Sequence, residues 1–167
     1  AWDHEVDGPL LWSEDASAIF FAAEDQGQRH LWRFDIASRR AEVIAEGSWV
    51  ESFDHAAGSL VSVAASATHP ARVHAHLPGR APVRIETFND SLLSSITLGR
   101  VEERWVEGAQ GDPVQMWLTY PAAFDADDDT AKHKAKASKP RKTWPLLHCI
   151  HGGPHTAAGD AWHSRWN

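Results

Sequence analysis

The sequence predicts a mixed fold, in which two repeated β units are followed by part of an α/β sheet. Three observations predict it: an internal repeat over residues 8–88, a hairpin pattern over residues 101–120, and an apolar strand at residues 144–150 that runs into a His-Gly-Gly-Pro loop. An apolar strand that delivers a glycine loop at its C-terminal end is typical of ligand sites in open α/β sheets. We therefore divide the chain into residues 1–88 and residues 89–167.

The internal repeat has a period of 41 residues. Four pairs of apolar residues align at this shift without a gap, as in 53 − 12 = 41: Trp12 with Phe53, Ile19 with Leu60, Trp32 with Val73, and Ile44 with Ile85. Four-stranded propeller blades repeat at about 40–45 residues, so each unit is expected to be one blade. Because the apolar face of a blade is covered only by a neighbour, two blades need further blades or another partner.

Turn residues separate the predicted strands. In the two units the strands are expected at residues 9–13, 18–23, 30–35, 41–45, 49–53, 59–64, 72–76 and 83–87. Beyond them we expect a strand at 92–98 and a hairpin of strands 101–107 and 114–120. Residues 125–142, in which four acidic residues precede six basic ones and no large apolar side chain occurs, are predicted to form a solvated, mobile loop.

Composition and charge restrict the partners of the chain. Its 167 residues include 16 Lys plus Arg against 23 Asp plus Glu, which gives a formal net charge of −7. The charges form no basic stripe, so nucleic acid is not expected as a partner. No apolar run reaches the ~18 residues that cross a bilayer, so no membrane span is expected. The single cysteine, Cys149, lies in the apolar strand and is expected to be a packed thiol.

The loop His151-Gly152-Gly153-Pro154 carries the chemistry that the sequence offers. Two adjacent glycines let the backbone approach a ligand closely and turn its N–H groups toward a developing negative charge. A Gly-Gly-Pro sequence after a strand is also an ordinary tight turn. The residues of the loop alone therefore leave both interpretations open.

A longer stretch around this loop resembles a known family. His151-Gly152-Gly153-Pro154-His155, followed by Asp160-Ala161-Trp162-His163-Ser164-Arg165-Trp166-Asn167, is similar to the prolyl oligopeptidase family of serine peptidases, and within it to the acylaminoacyl-peptidase and dipeptidyl-peptidase V branch. Trp12-Ser13-Glu14-Asp15 resembles the Trp-Ser-Pro-Asp corner of peptidase propellers but departs from it at Glu14. His148 is a second departure, because the family usually has an aliphatic residue there.

This resemblance implies a fold and a set of site residues. The fold is the C-terminal blades of a β-propeller followed by the beginning of an α/β-hydrolase domain, as an internal piece of a longer protein. The loop 151–154 would supply one N–H of the oxyanion hole, and Gly153 is favoured over Gly152 as its donor. His155 and Trp162 are the residues expected at the substrate cleft, while packing of Trp162 on the core stays open.

The catalytic machinery itself is not found in the sequence. A Gly-x-Ser-x-Gly elbow occurs nowhere, and Ser164 has no neighbouring glycine that would permit the strained turn of a nucleophile. In this fold the triad follows the order Ser, Asp, His, so all three residues are expected after Asn167. The chain alone is therefore predicted to be inactive. The parent protein would be a serine peptidase that removes dipeptides or acylated residues from the N-terminus of short peptides.

A histidine-rich stretch offers a rival chemistry, a zinc site. His148, His151, His155, His163 and Asp160 lie within a short part of the sequence. Their spacing argues against zinc, because residues three apart on a strand point to opposite faces and Gly-Gly-Pro excludes the helix that would align the next pair. We expect no metal and no cofactor. Asp160 is instead expected to be the N-cap of a helix over residues 161–167.

Two other functions stay open. In one alternative, the chain would be a propeller-type binding module without catalysis. In the other, it would be part of an esterase on the same fold. For the peptidase, the expected partners are short peptides and the rest of the propeller and hydrolase domain, with homo-oligomerisation open. A cytoplasmic and a periplasmic or secreted location are equally compatible with the sequence.

Overall fold

The computed structural model describes residues 2–46, 49–124, 143–153 and 157–163. The described residues contain ten strands, a short α-helix and one turn of 3₁₀-helix. In chain order these are β1 (Val6–Trp12), β2 (Ala18–Asp25), β3 (Gln28–Asp35), β4 (Arg40–Ala45), β5 (Trp49–Ala56), β6 (Ser59–Ser66), β7 (His69–His76), β8 (Val83–Arg84), α1 (Asp90–Leu93), β9 (Val101–Glu107), the 3₁₀ turn (Ala109–Gly111) and β10 (Pro113–Thr119). No helix in these ranges is long and apolar enough to span a membrane.

The first eight strands form two four-stranded antiparallel units. In the first unit β1, β2, β3 and β4 pair in chain order, and in the second β5, β6, β7 and β8 do the same. Arg29 of β3 pairs with Trp49 of β5 in parallel orientation, and this pairing connects the two units into one sheet. All eight strands predicted from the repeat are confirmed, although several are longer than expected and β8 is shorter.

The two units pack against one another through one face of each. The buried apolar residues at this contact come from both units: Phe20, Ala22, Leu31, Val50, Phe53, Leu60 and Ala64. Because side chains alternate along β2, Phe21 lies on the opposite face, where it packs with Trp32 and with the ring of Trp2. Both faces of β2 are therefore covered over Ala18 to Ala23, which explains why these six residues are all apolar.

Arg29 links β1 of the first unit to β5 of the second unit. Its side chain is buried, and its guanidinium donates to the carbonyl oxygen of Val50 on β5 at 2.9 Å and to that of Asp7 on β1 at 2.9 Å. The Asp7 carboxylate lies 3.2 Å from the same group. β1 is irregular at this point, and Gly8 adopts a φ of +93° there. A Cβ on Gly8 would lie 3.2 Å from the Arg29 guanidinium, so the glycine leaves space for the charged group.

A hydrogen-bonded corner joins β1 to β2. The Asp15 carboxylate accepts from the Ser17 backbone N–H at 3.0 Å and from the Ser13 hydroxyl at 2.8 Å. The Ser13 hydroxyl oxygen in turn accepts from the backbone N–H of Ala18 at 2.9 Å. The bond from Ser17, followed by that from Ser13, lowers the pKa of Asp15 to about 2. This corner does not require the proline that Glu14 replaces.

The chain leaves the second unit through a helical turn, and the predicted strand at 92–98 is wrong. Backbone N–H groups of Leu93 and Ser94 donate to the carbonyl oxygens of Asn89 and Asp90, which closes α1 instead. The Asp90 carboxylate is held by Arg84 at 2.5 Å, so the first turn of the helix is fixed on β8. Asn89 makes no side-chain hydrogen bond to the helix, so the backbone bonds and the Arg84–Asp90 pair hold this turn.

The predicted hairpin is confirmed as β9 and β10. Its strands pair antiparallel with each other, from Val101 opposite Thr119 to Glu107 opposite Pro113. On one face of β10, Val114 and Met116 are exposed and Leu118 is partly buried. Gln115 and Trp117 on the other face are partly buried, and Gln115 contacts the first β unit.

Arg29→Met is expected to lower the free energy of unfolding of the chain by about 2–4 kcal/mol, because the buried carbonyl oxygen of Val50 and the partly buried one of Asp7 lose their donor. Arg33→Met on the same strand is the matched control, since Arg33 pairs with Asp35 and Glu42 in a partly exposed position. The control should cost less than about 1 kcal/mol. Urea unfolding followed by tryptophan fluorescence measures both values. Equal losses in the two variants would show that Arg29 does not join the units.

The Asp15 corner is expected to lose its stabilising effect in acid. The pKa of Asp15 is lowered from 3.8 to about 2 in the folded chain. The ionised carboxylate therefore contributes its full stabilisation of the fold above pH ~4, and this stabilisation is lost as the pH falls through about 2. The carboxyl carbon of Asp15 should titrate near pH 2 in an NMR experiment. The stability difference between the native chain and Asp15→Asn should shrink over the same window. A midpoint close to 4 would contradict the corner geometry.

Candidate functional site

Residues 151–153 of the glycine loop are exposed, and the strand predicted before the loop is not formed. Residues 143–153 have no regular secondary structure, and Leu146 and Leu147 are each 85% exposed. A parallel strand exists only when neighbouring strands pair with it, and in the described ranges β9 and β10 pair only with each other. Gly153 has a φ of +79°, a backbone conformation that favours glycine. Pro154 and His155 lie outside the described residues.

The prediction for the thiol before the loop is also corrected. Cys149 is an exposed thiol rather than a packed one, since the strand that would have buried it is absent. His148 is likewise exposed. In the described part of the chain, no three His, Cys, Asp or Glu side chains are grouped so that they would hold a metal ion. His155 of the histidine-rich stretch falls outside that part, as does the predicted loop at 125–142.

The hairpin docks on the turn between β2 and β3 of the first unit. The side-chain amide of Gln115 donates to the carbonyl oxygen of Gln26 at 2.5 Å. Gly27, the next residue of the turn, has a φ of +69°. A Cβ on Gly27 would lie 3.0 Å from the carbonyl oxygen of Ala158 and 3.1 Å from Trp117 Nε1. The turn is therefore approached closely by both the hairpin and the segment that follows the glycine loop.

Residues 157–163, here called the junction segment, lie across both β units. The Trp117 indole donates to the carbonyl oxygen of Ala158 at 2.9 Å. The Asp160 backbone N–H donates to the carbonyl oxygen of Gly27 in the first unit at 2.7 Å, and its carboxylate accepts from the backbone N–H of Ala67 in the second unit at 2.7 Å. Gly159 lies against the ring of Trp49 so closely that a Cβ would overlap it.

The helix predicted to begin at Asp160 is not present over the described residues 161–163. Asp160 has the residue type of an N-cap, but its carboxylate binds the distant Ala67 instead of a nearby backbone N–H. Trp162 is partly buried. Trp166, which would share a helical face with Trp162, lies outside the described residues. The assignment of Trp162 to the substrate cleft stays a prediction.

Sequence reasoning missed a Ser–His pair in the second unit. The Ser62 hydroxyl lies 2.8 Å from His76 Nε2, across β6 and β7. Ser62 is only 1% exposed, so no substrate can reach its oxygen. Burial lowers the pKa of His76, and its Nδ1 has no hydrogen-bond partner among the described residues, where a triad would place a carboxylate. The pair is therefore part of the packing of the sheet.

A groove between the two units is separate from the glycine loop. Its volume is about 380 Å³, and its walls combine apolar residues of both units, such as Phe20 and Leu60, with the Arg33–Glu42 ion pair and His55. None of its lining residues comes from 143–153 or from the junction segment. The groove is therefore not the site that the sequence predicts.

Fold and sequence are both similar to those of peptidases. The two β units correspond to a propeller-like part of solved peptidase structures. They match Pyrococcus horikoshii acylaminoacyl peptidase with a TM-score of 0.61 and 18% identity, over 71% of this chain and 18% of that one. The isopeptidase AtxE2 matches with a TM-score of 0.58, over 72% of this chain and 19% of that one. These similarities show a shared fold.

The similarity of sequence is to dipeptidyl-peptidases 5. The probable dipeptidyl-peptidase 5 of Trichophyton verrucosum is 29% identical over 99% of this chain, and the dipeptidyl-peptidase 5 of Porphyromonas endodontalis is 26% identical over 90% of it. No family model matches the chain. The resemblance to peptidases of the prolyl oligopeptidase family is thereby confirmed. The chain spans 22% of the length of the Trichophyton relative.

Gly27→Ala is expected to loosen the junction between the first unit, the hairpin and the junction segment. Gly58→Ala is the matched control, because Gly58 occupies the corresponding turn with the same φ of +69° but has no atom within 4 Å of its Cβ position. Both variants share the backbone strain, and only Gly27→Ala meets Ala158 and Trp117. The indole N–H of Trp117 should exchange with deuterium about tenfold faster in Gly27→Ala alone. Equal exchange in both variants would contradict the described docking.

Proposed function

We propose that the chain is part of a serine peptidase that removes dipeptides or acylated residues from the N-terminus of short peptides. Residues 1–88 would contribute two blades of its propeller, and residues 89–167 the beginning of its α/β-hydrolase domain. The observation that carries the proposal is the similarity to dipeptidyl-peptidases 5 over 99% of the chain. The names of these relatives favour a peptidase over an esterase or a binding module.

The role proposed for the chain in catalysis is one half of an oxyanion hole. The left-handed φ of Gly153 supports this role, because such a conformation turns the backbone in a way that ordinary residues rarely allow. Residues 151–153 of the loop are exposed, so a substrate can approach them. His151, Gly152, Gly153 and Pro154 would form the loop, with His155 and Trp162 at the cleft. The nucleophile, the base and the acid would come from sequence beyond Asn167, so the chain alone would be inactive.

Exposed apolar residues support the proposed assembly with further blades. Leu10 and Trp12 on β1 are 60% and 58% exposed, and Ile85 after β8 is 57% exposed. In repeat folds such faces are covered by the neighbouring repeats. The remaining blades and the rest of the hydrolase domain are therefore the proposed partners of these surfaces. The propeller would restrict entry to short peptides.

Gly153→Pro in the full-length protein is expected to lower kcat at least about a hundredfold, because the substitution removes an N–H and imposes a negative φ. KM should change much less, since the donor acts mainly on the charged intermediate. Gly152→Ala is the matched control: it keeps its N–H, and its Cβ position has no atom within 4 Å. Release of p-nitroaniline from dipeptidyl and acylaminoacyl substrates measures both variants.

Inhibitors test the class of mechanism in the same assay. A serine-directed phosphonate should abolish the activity, whereas a chelator should leave it unchanged. Inactivation by the chelator and not by the phosphonate would show a metal enzyme and contradict the peptidase mechanism. An unchanged kcat in Gly153→Pro would contradict the oxyanion role of this residue.

A further inference from the structure

Asp160 is the residue through which the junction segment contacts both β units. Its backbone N–H donates to Gly27 in the turn between β2 and β3, and its carboxylate accepts from Ala67 in the turn between β6 and β7. Both distances are 2.7 Å. Hydrogen bonds to an ionised carboxylate are stronger than those between neutral groups. A single residue thus fixes one point of the segment relative to both β units.

The residues next to Asp160 contact the hairpin and β5. The carbonyl oxygen of Ala158 accepts from the Trp117 indole of the hairpin at 2.9 Å. Gly159 rests on the ring of Trp49, where no side chain would fit. The Ala161 backbone N–H donates to Gly159 at 2.9 Å, which closes a tight local turn. The segment is therefore built into the contact between the two units and the hairpin.

We propose that Asp160 is a positioning residue for the glycine loop and couples it to the propeller-like units. This inference rests on the proposed function, because it assumes that Gly153 donates to the oxyanion. Asp160 follows Gly153 by seven positions, so the reach of the chain restricts how far Gly153 can lie from the contact between the two units. Donors of an oxyanion hole act only when they are held close to the productive geometry. A displacement of about 1 Å costs up to about a hundredfold in rate.

The anchor acts through a hydrogen bond rather than through charge alone. The Ala67 backbone N–H donates to Asp160 Oδ1. Asn supplies such an oxygen without a negative charge, whereas Ala supplies none. Asp160→Asn is therefore expected to keep most of the positioning effect, and Asp160→Ala to lose it.

The experiment compares variants of the full-length protein in the peptidase assay. Asp160→Ala should lower kcat about tenfold or more with KM changed less than about threefold, and Asp160→Asn should restore kcat to within about threefold of the native enzyme. Asp35→Ala is the matched control, because the Asp35 carboxylate also accepts a backbone N–H, that of Ser38 at 2.8 Å, in a turn far from the junction. The control should lower the melting temperature without changing kcat.

Trp117→Phe provides a second variant in case Asp160→Ala does not fold. It removes the hydrogen bond to Ala158 but keeps an aromatic ring, and kcat should fall about threefold or more. The inference is overturned if Asp160→Ala, or Trp117→Phe in its place, keeps the kcat of the control while Gly153→Pro is impaired. It is also overturned if Asp160→Asn is as slow as Asp160→Ala. If Gly153→Pro is unimpaired as well, the proposed function itself fails.

Discussion

The contact between the two β units depends on a buried guanidinium. Burying a charge is costly unless hydrogen bonds replace its water, and Arg29 obtains them from the carbonyl oxygens of Val50 and Asp7 and from the Asp7 carboxylate. These acceptors lie on β1 of the first unit and β5 of the second unit. The hydrophobic contact between the units is not directional, whereas the planar guanidinium fixes the two strands at one separation. The turns that receive the junction segment are thereby held in a fixed arrangement.

The strands of the two units could be predicted because their partners are neighbours in sequence. Antiparallel strands joined by short turns need only local patterns, such as the apolar residues of β2 and the glycine turns at Gly27 and Gly58. The segment at 144–150 has an equally clear apolar pattern but no regular structure in the described chain. A parallel strand depends on partners far along the sequence, so its pattern alone does not determine whether it pairs.

The candidate site was predictable only in part, for the same reason. The adjacent glycines indicated an unusual backbone, and the φ of Gly153 agrees with that expectation. Asp160 was assigned to a local cap, yet its carboxylate binds a backbone N–H 93 residues earlier. Arg29 also gave no signal, because a charged residue in a strand ordinarily indicates a solvent-exposed position. Contacts between distant segments decide both roles.

The Gly153 backbone N–H is proposed to stabilise the charged intermediate of peptide hydrolysis. A crystal structure of the full-length protein with a dipeptidyl phosphonate bound covalently to its nucleophile would show whether it does. A phosphonyl oxygen is expected about 2.7–3.1 Å from the Gly153 nitrogen, the distance of an oxyanion hydrogen bond. A phosphonyl oxygen beyond hydrogen-bonding distance from both Gly152 and Gly153 would contradict it.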